Sequence, residues 1–150
     1  MTEEDSRPAT REHIDHVQEL LFKMGIALTA RRPIHDASKL QEPELSTFNE
    51  YTPKLAGCTY GSDEYQKYLK AMKPALDHHY ATNRHHPEHF EDGVKGMNLI
   101  DIVEMLCDWK AATLRHNDGD IRKSIEINQN RFGFSDELKQ ILLNTLEVIE

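Results

Sequence analysis

The sequence predicts an all-α, single-domain bundle of five to six helices. Apolar residues recur at three- and four-residue steps along most of the chain, and no segment alternates with period two long enough to form a strand. The 150 residues contain only seven Gly and six Pro, too few for a loop-dominated chain. A chain of this length buries one real core and is short for two.

Ile14, Val17, Leu20, Leu21, Met24 and Leu28 form the stripe of an amphipathic helix from Thr10 to Ala30, preceded by a flexible stretch over 1–9 and ended by Pro33. A second helix is expected from near Asp36 toward Tyr51, interrupted or restarted at Pro43. The segment "PKLAGCTYGSD" reads as a loop, and Ser62 caps a third helix through about Tyr80. Its stripe is Tyr65, Leu69, Met72 and Leu76, and Pro74 predicts a kink inside it. The fourth helix, Asn98 to about His116, is apolar over a wide arc (Leu99, Ile100, Ile102, Val103, Leu106, Cys107, Leu114) and is therefore expected at the centre. Two shorter helices follow over about 120–131 and 136–149, the latter capped by Ser135. Its apolar face serves packing within the chain or a homodimer equally well.

A hydrophobic share of 38% with 29% charged residues is that of an ordinary soluble protein. The start of the chain is acidic where a signal peptide is basic and then apolar, and no apolar run is long enough to span a bilayer. A cytoplasmic protein without membrane contact is the expectation. A formal charge of −8 disfavours long nucleic acids, whose phosphates need clustered cations, but leaves room for a small anionic substrate at a local positive site. Cys58 and Cys107 are far apart and belong to no CxxC pair, so any metal must take nitrogen and oxygen ligands.

Histidines and acids stand out against the helical pattern. "HHYATNRHHPEHF", residues 78–90, carries five of the nine histidines, interleaved with Tyr80, Asn83, Arg84, Pro87, Glu88 and Phe90 as in a structured loop. His13 shares the apolar stripe of the first helix, and His79 lies on the apolar side of the third. His35 and Asp36 adjoin at a loop-to-helix junction, where two neighbouring side chains can aim at one point. Capping would explain Asp36 or Ser38 but not the preceding histidine. Asp101, Glu104 and Asp108 repeat at three and four residues on the fourth helix, and like charges at that spacing repel unless a cation intervenes. Either His78/His79 or His85/His86 fits a ligand position, and His89 reads as a surface residue.

This order of residues, a His on a first helix, "HDASK", a His pair at the end of a later helix and Asp108 in "EMLCDWKAAT", resembles the HD-domain superfamily of metal-dependent phosphohydrolases. The resemblance spans about residues 13 to 115. The chain as a whole also resembles a family of small uncharacterised bacterial and phage proteins with HDxSK and NRHHPEHF motifs. The HD resemblance implies an all-α bundle holding one or two divalent ions (Mn, Fe, Co, Ni or Zn), with His13, His35, Asp36 and Asp108 as ligands and His79 and His86 for a second ion or the leaving group. It implies that Lys39 and Arg84 contact phosphate, and that Glu104 or Asp101 orients water or holds a ligand imidazole. "HHPEHFEDG" is similar to a segment of the cyclic-dinucleotide branch, but "GVKGMN" replaces the Gly-Tyr-Pro found there, so that substrate is not implied. The expected activity is hydrolysis of a phosphate ester on a small metabolite, a nucleotide first among them. The alternatives are an HD-type di-iron oxygenase and a non-catalytic metal- or nucleotide-binding phage or regulatory protein.

Overall fold

The computed structural model describes residues 5–59, 61–115 and 117–150. Its described residues form α-helices and short 3₁₀ turns, with no strand among them. The helices are α1 (Arg7–Arg31), α2 (Leu45–Ala56), α3 (Asp63–Ala71), α4 (Lys73–Thr82), α5 (Leu99–Thr113), α6 (Ile121–Phe132) and α7 (Asp136–Thr145). No described helix is long and apolar enough to cross a membrane. The chain divides into two compact units, one ending at Ile34 and one running from His35 to Glu150.

The first unit is essentially α1. It begins inside the stretch expected to be flexible, because Pro8 sits in the first turn, where its missing N–H costs nothing. Residues 1–4 of that stretch lie outside the described residues. The stripe expected to be covered is exposed: Ile14, Val17, Leu20, Leu21 and Met24 all present large apolar surface.

In the second unit, caps decide most helix boundaries. Ser62 Oγ accepts from Tyr65 N, Ser135 Oγ from Leu138 N, and Asp120 from Arg122 N and Lys123 N. Asn98 and Asp101 form a reciprocal capping box at the start of α5. Gly133, at φ 68°, closes α6 in the left-handed conformation that a side chain would resist. Three boundaries differ from the sequence expectation. The single helix from Ser62 to Tyr80 is two, parting at Met72, because Pro74 opens α4 within its first turn and does not kink a continuous helix. The helix expected from Asp36 is a 3₁₀ turn, Ala37–Leu40, and α2 starts only at Leu45. That helix continues through Pro53 into the expected loop. The end expected for the fourth helix, His116, lies outside the described residues.

Leu106, Ile121, Ile125, Phe134, Leu142 and Leu146 form the hydrophobic core between α5, α6 and α7, with Trp109 stacked on Phe132 and Phe134. The C-terminal helix thus spends its apolar face inside the chain through Leu142. On α5 the apolar arc is narrower than expected, since Leu99, Cys107 and Leu114 are exposed. The opposite line of α5 carries Asp101, Glu104 and Asp108. It packs against a second interior made of polar side chains.

Candidate metal centre

That polar interior is assembled from three places. The turn before α2 supplies His35, Asp36 and Glu44, the end of α4 and the loop after it supply His79, His85 and His86, and α5 supplies Glu104 and Asp108. Asp36 has φ 53°, a left-handed conformation that Asp tolerates better than most residues, and this turn lets the adjacent His35 and Asp36 side chains meet one cluster. Pro87 holds His86 in extended backbone, at φ −96° and ψ 127°, which directs the chain after His85 back over α4.

Two groups of potential ligand atoms result. Asp36, His79, His85 and His86 each place one such atom within 4.8 Å of the others, and so do His35, His85 and Asp108. His79 Nε2 is 3.0 Å from His86 Nε2 and 3.3 Å from Asp36 Oδ1, and His85 Nε2 is 3.4 Å from the same Oδ1. His35 Nε2 is 3.5 Å from Asp108 Oδ1 and 3.9 Å from Asp36 Oδ2. Ligands bound at roughly 2.0–2.2 Å lie about 3.0–3.5 Å apart around one ion, so most of these spacings are those of coordination edges.

The far sides of the rings are held by carboxylates. His79 Nδ1 is 2.9 Å from Glu44 Oε2, and His35 Nδ1 is 2.9 Å from Glu104 Oε1. An ionised carboxylate only accepts, so each Nδ1 is an N–H donor, and the bond turns the Nε2 side of each ring toward the centre. Glu44 has no solvent exposure and also accepts from Ser38 Oγ at 3.0 Å and pairs with His78 Nδ1 at 2.7 Å. Asn83 Nδ2 donates to Ser38 Oγ at 2.9 Å, completing the buried network. Asp36 Oδ1 and both nitrogens of the buried His85 make no contact with hydrogen-bond geometry, although charged or polar atoms stand close: Asp36 Oδ1 faces the two rings, and His85 Nδ1 is 3.2 Å from Glu104 Oε1. Such poorly aligned buried contacts satisfy the groups only in part, and a cation among them would complete them.

Electrostatics point the same way. Burial alone would raise the Asp36 carboxyl, but His79, His85 and Lys39 around it hold it far below the usual carboxylate range. Burial likewise works against a lowered Asp108, which His35 nevertheless keeps ionised. The hydrogen bond to Asp108, against the effect of burial and with help from Glu104, raises His35 to about 9. Burial, reinforced by His85 and His79, pushes His86 down to about 3, so it is a neutral imidazole with a free lone pair at physiological pH.

The structure therefore brings together His35, Asp36, His79, His86 and Asp108, and adds His85, the most buried of the histidine pair after α4. His13 is in neither group; it sits on the exposed α1 of the other unit. Lys39 stands at the edge, its Nζ 2.6 Å from Asp36 Oδ2. Arg84 and Asp101, expected to serve phosphate and water, pair with each other. Arg84 Nε and Nη2 reach both Asp101 oxygens at 3.1 and 2.9 Å, and Asp101 Oδ2 also accepts from Asn98 N. Together they close the start of α5. Sequence reasoning missed Glu44. Its one signal is an acid beside Pro43 at an N-cap position that makes no side-chain cap. His89, expected at the surface, ties the loop back through Nδ1 to the Tyr80 carbonyl at 2.8 Å.

The model of a family of unknown function (DUF5662) matches residues 2–148. No curated protein and no solved structure matches the chain.

Proposed function

The chain belongs to DUF5662, whose description names no activity, and we propose from the site itself that it is a metal-dependent phosphohydrolase of a small phosphorylated metabolite, a nucleotide being the first candidate. The observation that carries this reading is the orientation of the rings: imidazole Nε2 atoms and two carboxylates turn inward, while Glu44 and Glu104 hold Nδ1 atoms from behind. Carboxylates that fix the tautomer and basicity of ligand histidines are a regular part of metal sites. The donor set of imidazoles and carboxylates without thiolate suits Mn²⁺, Fe²⁺, Co²⁺, Ni²⁺ or Zn²⁺, as one ion or two.

A cation in such a site lowers the pKa of water and polarises a phosphoryl oxygen. The chain's own groups define the rest. His79 and His85 are inaccessible, whereas His35, Asp108 and Lys39 keep 32%, 27% and 34% of their side-chain surface, so substrate approaches from their side. There Lys39 can leave Asp36 for a phosphate oxygen, as a flexible point charge does. Glu104 fixes His35, and Glu44 fixes His79. In the reaction, water oxygen bonds to phosphorus as the bond from phosphorus to the ester oxygen breaks, and the released alcohol takes up a proton.

The test is elemental analysis of tag-free protein beside a His35→Ala/Asp36→Ala variant, followed by phosphate release from a panel of nucleotides and sugar phosphates. Near-stoichiometric metal lost in the folded variant, with metal-dependent phosphate release, is the expected result. A wild-type protein that takes up no Mn²⁺, Fe²⁺ or Zn²⁺ would overturn it. The abundance of imidazole favours one second reading, an iron-dependent oxygenase, which iron retention and dioxygen consumption without phosphate release would select.

A further inference from the structure

We propose, resting on the metal-dependent reading of this site, that Lys39 leaves Asp36 whenever a cation is held on the His35 side, and that ion and phosphate thereby bind cooperatively through Lys39. Local structure sets up the exclusion. Lys39 follows Asp36 by three residues across the 3₁₀ turn Ala37–Leu40, a turn that brings side chains three apart over one another. Lys39 N donates to the Asp36 carbonyl at 3.0 Å, and Lys39 Nζ reaches Asp36 Oδ2 at 2.6 Å.

The two oxygens of Asp36 have different neighbours. Oδ1 faces the Nε2 atoms of His79 and His85 at 3.3 and 3.4 Å, whereas Oδ2 takes the ammonium and lies 3.9 Å from His35 Nε2. That nitrogen is in turn 3.5 Å from Asp108 Oδ1. A divalent ion on His35 and Asp108 and the Lys39 ammonium are therefore drawn to one carboxylate oxygen. Like charges so close repel strongly, and of the two only the ammonium hangs on a flexible stem. It is also lightly held. Apart from Asp36 it lies against the Phe48 ring, 5.3 Å from the centre, and the side chain keeps 34% of its surface in water. Displaced, it stands at the open edge of the site, where a phosphate gives it the partner that Asp36 no longer is. By linkage the aid is mutual: phosphate tightens the hold on the ion as the ion tightens the hold on phosphate.

The test is uptake of Mn²⁺, Fe²⁺ and Zn²⁺ in turn, read by competition with a chromophoric chelator, for the full chain as wild type, Lys39→Met and Lys39→Arg. Lys39→Met keeps a contact with Phe48 and removes the competing charge, so the ion should bind about 10-fold tighter, within the usual range for coupled sites. Lys39→Arg keeps the charge and grips a carboxylate with two donors, so it should bind the ion no tighter than wild type. The movement itself is read on the wild type. Acetylation of Lys39 by acetic anhydride, measured by mass spectrometry against the exposed Lys67, should rise several-fold with the ion and fall again when inorganic phosphate is added. Ion affinity that Lys39→Met leaves unchanged or weakens, or Lys39 labelling indifferent to the ion, overturns the exclusion and leaves the metal reading standing. A wild type that takes up none of the three ions overturns both.

Discussion

The second unit has two interiors, and α5 lies between them. On one side Leu106, Ile125, Leu142 and Leu146 are packed out of water with no polar atom to satisfy. On the other, His79, His85 and Glu44 are equally inaccessible, yet three of the polar side-chain atoms there make no contact with hydrogen-bond geometry. The apolar interior gains free energy from burial itself. The polar interior gathers groups whose desolvation is unfavourable, and they become a favourable arrangement only around a charge that they can share. One region is the reason the chain folds, and the other uses that stability to hold a site.

A pair of substitutions separates the two interiors. Ile125→Ala should lower unfolding stability by about 2–5 kcal/mol, the range for a fully buried Ile losing its side chain, and by the same amount in chelator and in metal. His79→Ala should also cost stability in chelator, because it removes a buried ring bonded to Glu44, but it alone should abolish the added stability that metal gives. Denaturant midpoints of both variants, with and without Mn²⁺, measure this. A metal-dependent cost at Ile125, or an unchanged metal increment in His79→Ala, would mean that the two interiors do not divide the work in this way.

A smaller effect probes the carboxylates behind the rings. Glu44→Gln keeps shape but removes the charge that orients His79, and metal affinity should fall by about 10–100-fold, as for other such outer partners. Competition against a chromophoric chelator reads it directly. Unchanged affinity would assign Glu44 to packing alone and leave Glu104 as the one carboxylate acting through a ligand ring.

The two interiors were also unequally legible in the sequence. The apolar one follows from periodicity and caps: Asn98, Ser135 and Gly133 mark their helix ends in the sequence much as they stand in the structure. The polar one depends on where loops return, and spacing does not encode that. His35, Asp36 and Asp108 stood out because capping and amphipathicity left them unexplained. Choosing between His78/His79 and His85/His86 required the path of the loop, and His79, His85 and His86 all join the cluster. His13 lies on the stripe of the first helix, where a lone histidine is more often a neighbour of apolar residues than a ligand, and neither group of potential ligand atoms includes it. Arg84 and Asp101 carry chemistry suited to phosphate and water, and spacing alone does not show that they pair with each other at the start of α5.

The least effect expected is one of pH, and it tests whether His35 is a ligand. In chelator, His35 titrates at about 9, held up by Asp108, against an ordinary value of about 6.5. Its folded state is the better proton binder, so the stabilisation is complete below about pH 6.5 and is lost as pH rises toward 9. His86, pushed down to about 3, acts on the acid side: its contribution is present above about 6.5 and is lost as pH falls toward 3. Asp36, Glu44 and Asp108, all lowered, steepen that acid limb. A cation on His35 Nε2 displaces the proton, so metal should erase the alkaline decline and its added stability should grow with pH. Melting temperatures at about pH 6.5 and 8.5, with chelator and with Mn²⁺, should therefore diverge at the higher pH. Parallel slopes would remove His35 from the ligand set and confine the ion to Asp36, His79, His85 and His86.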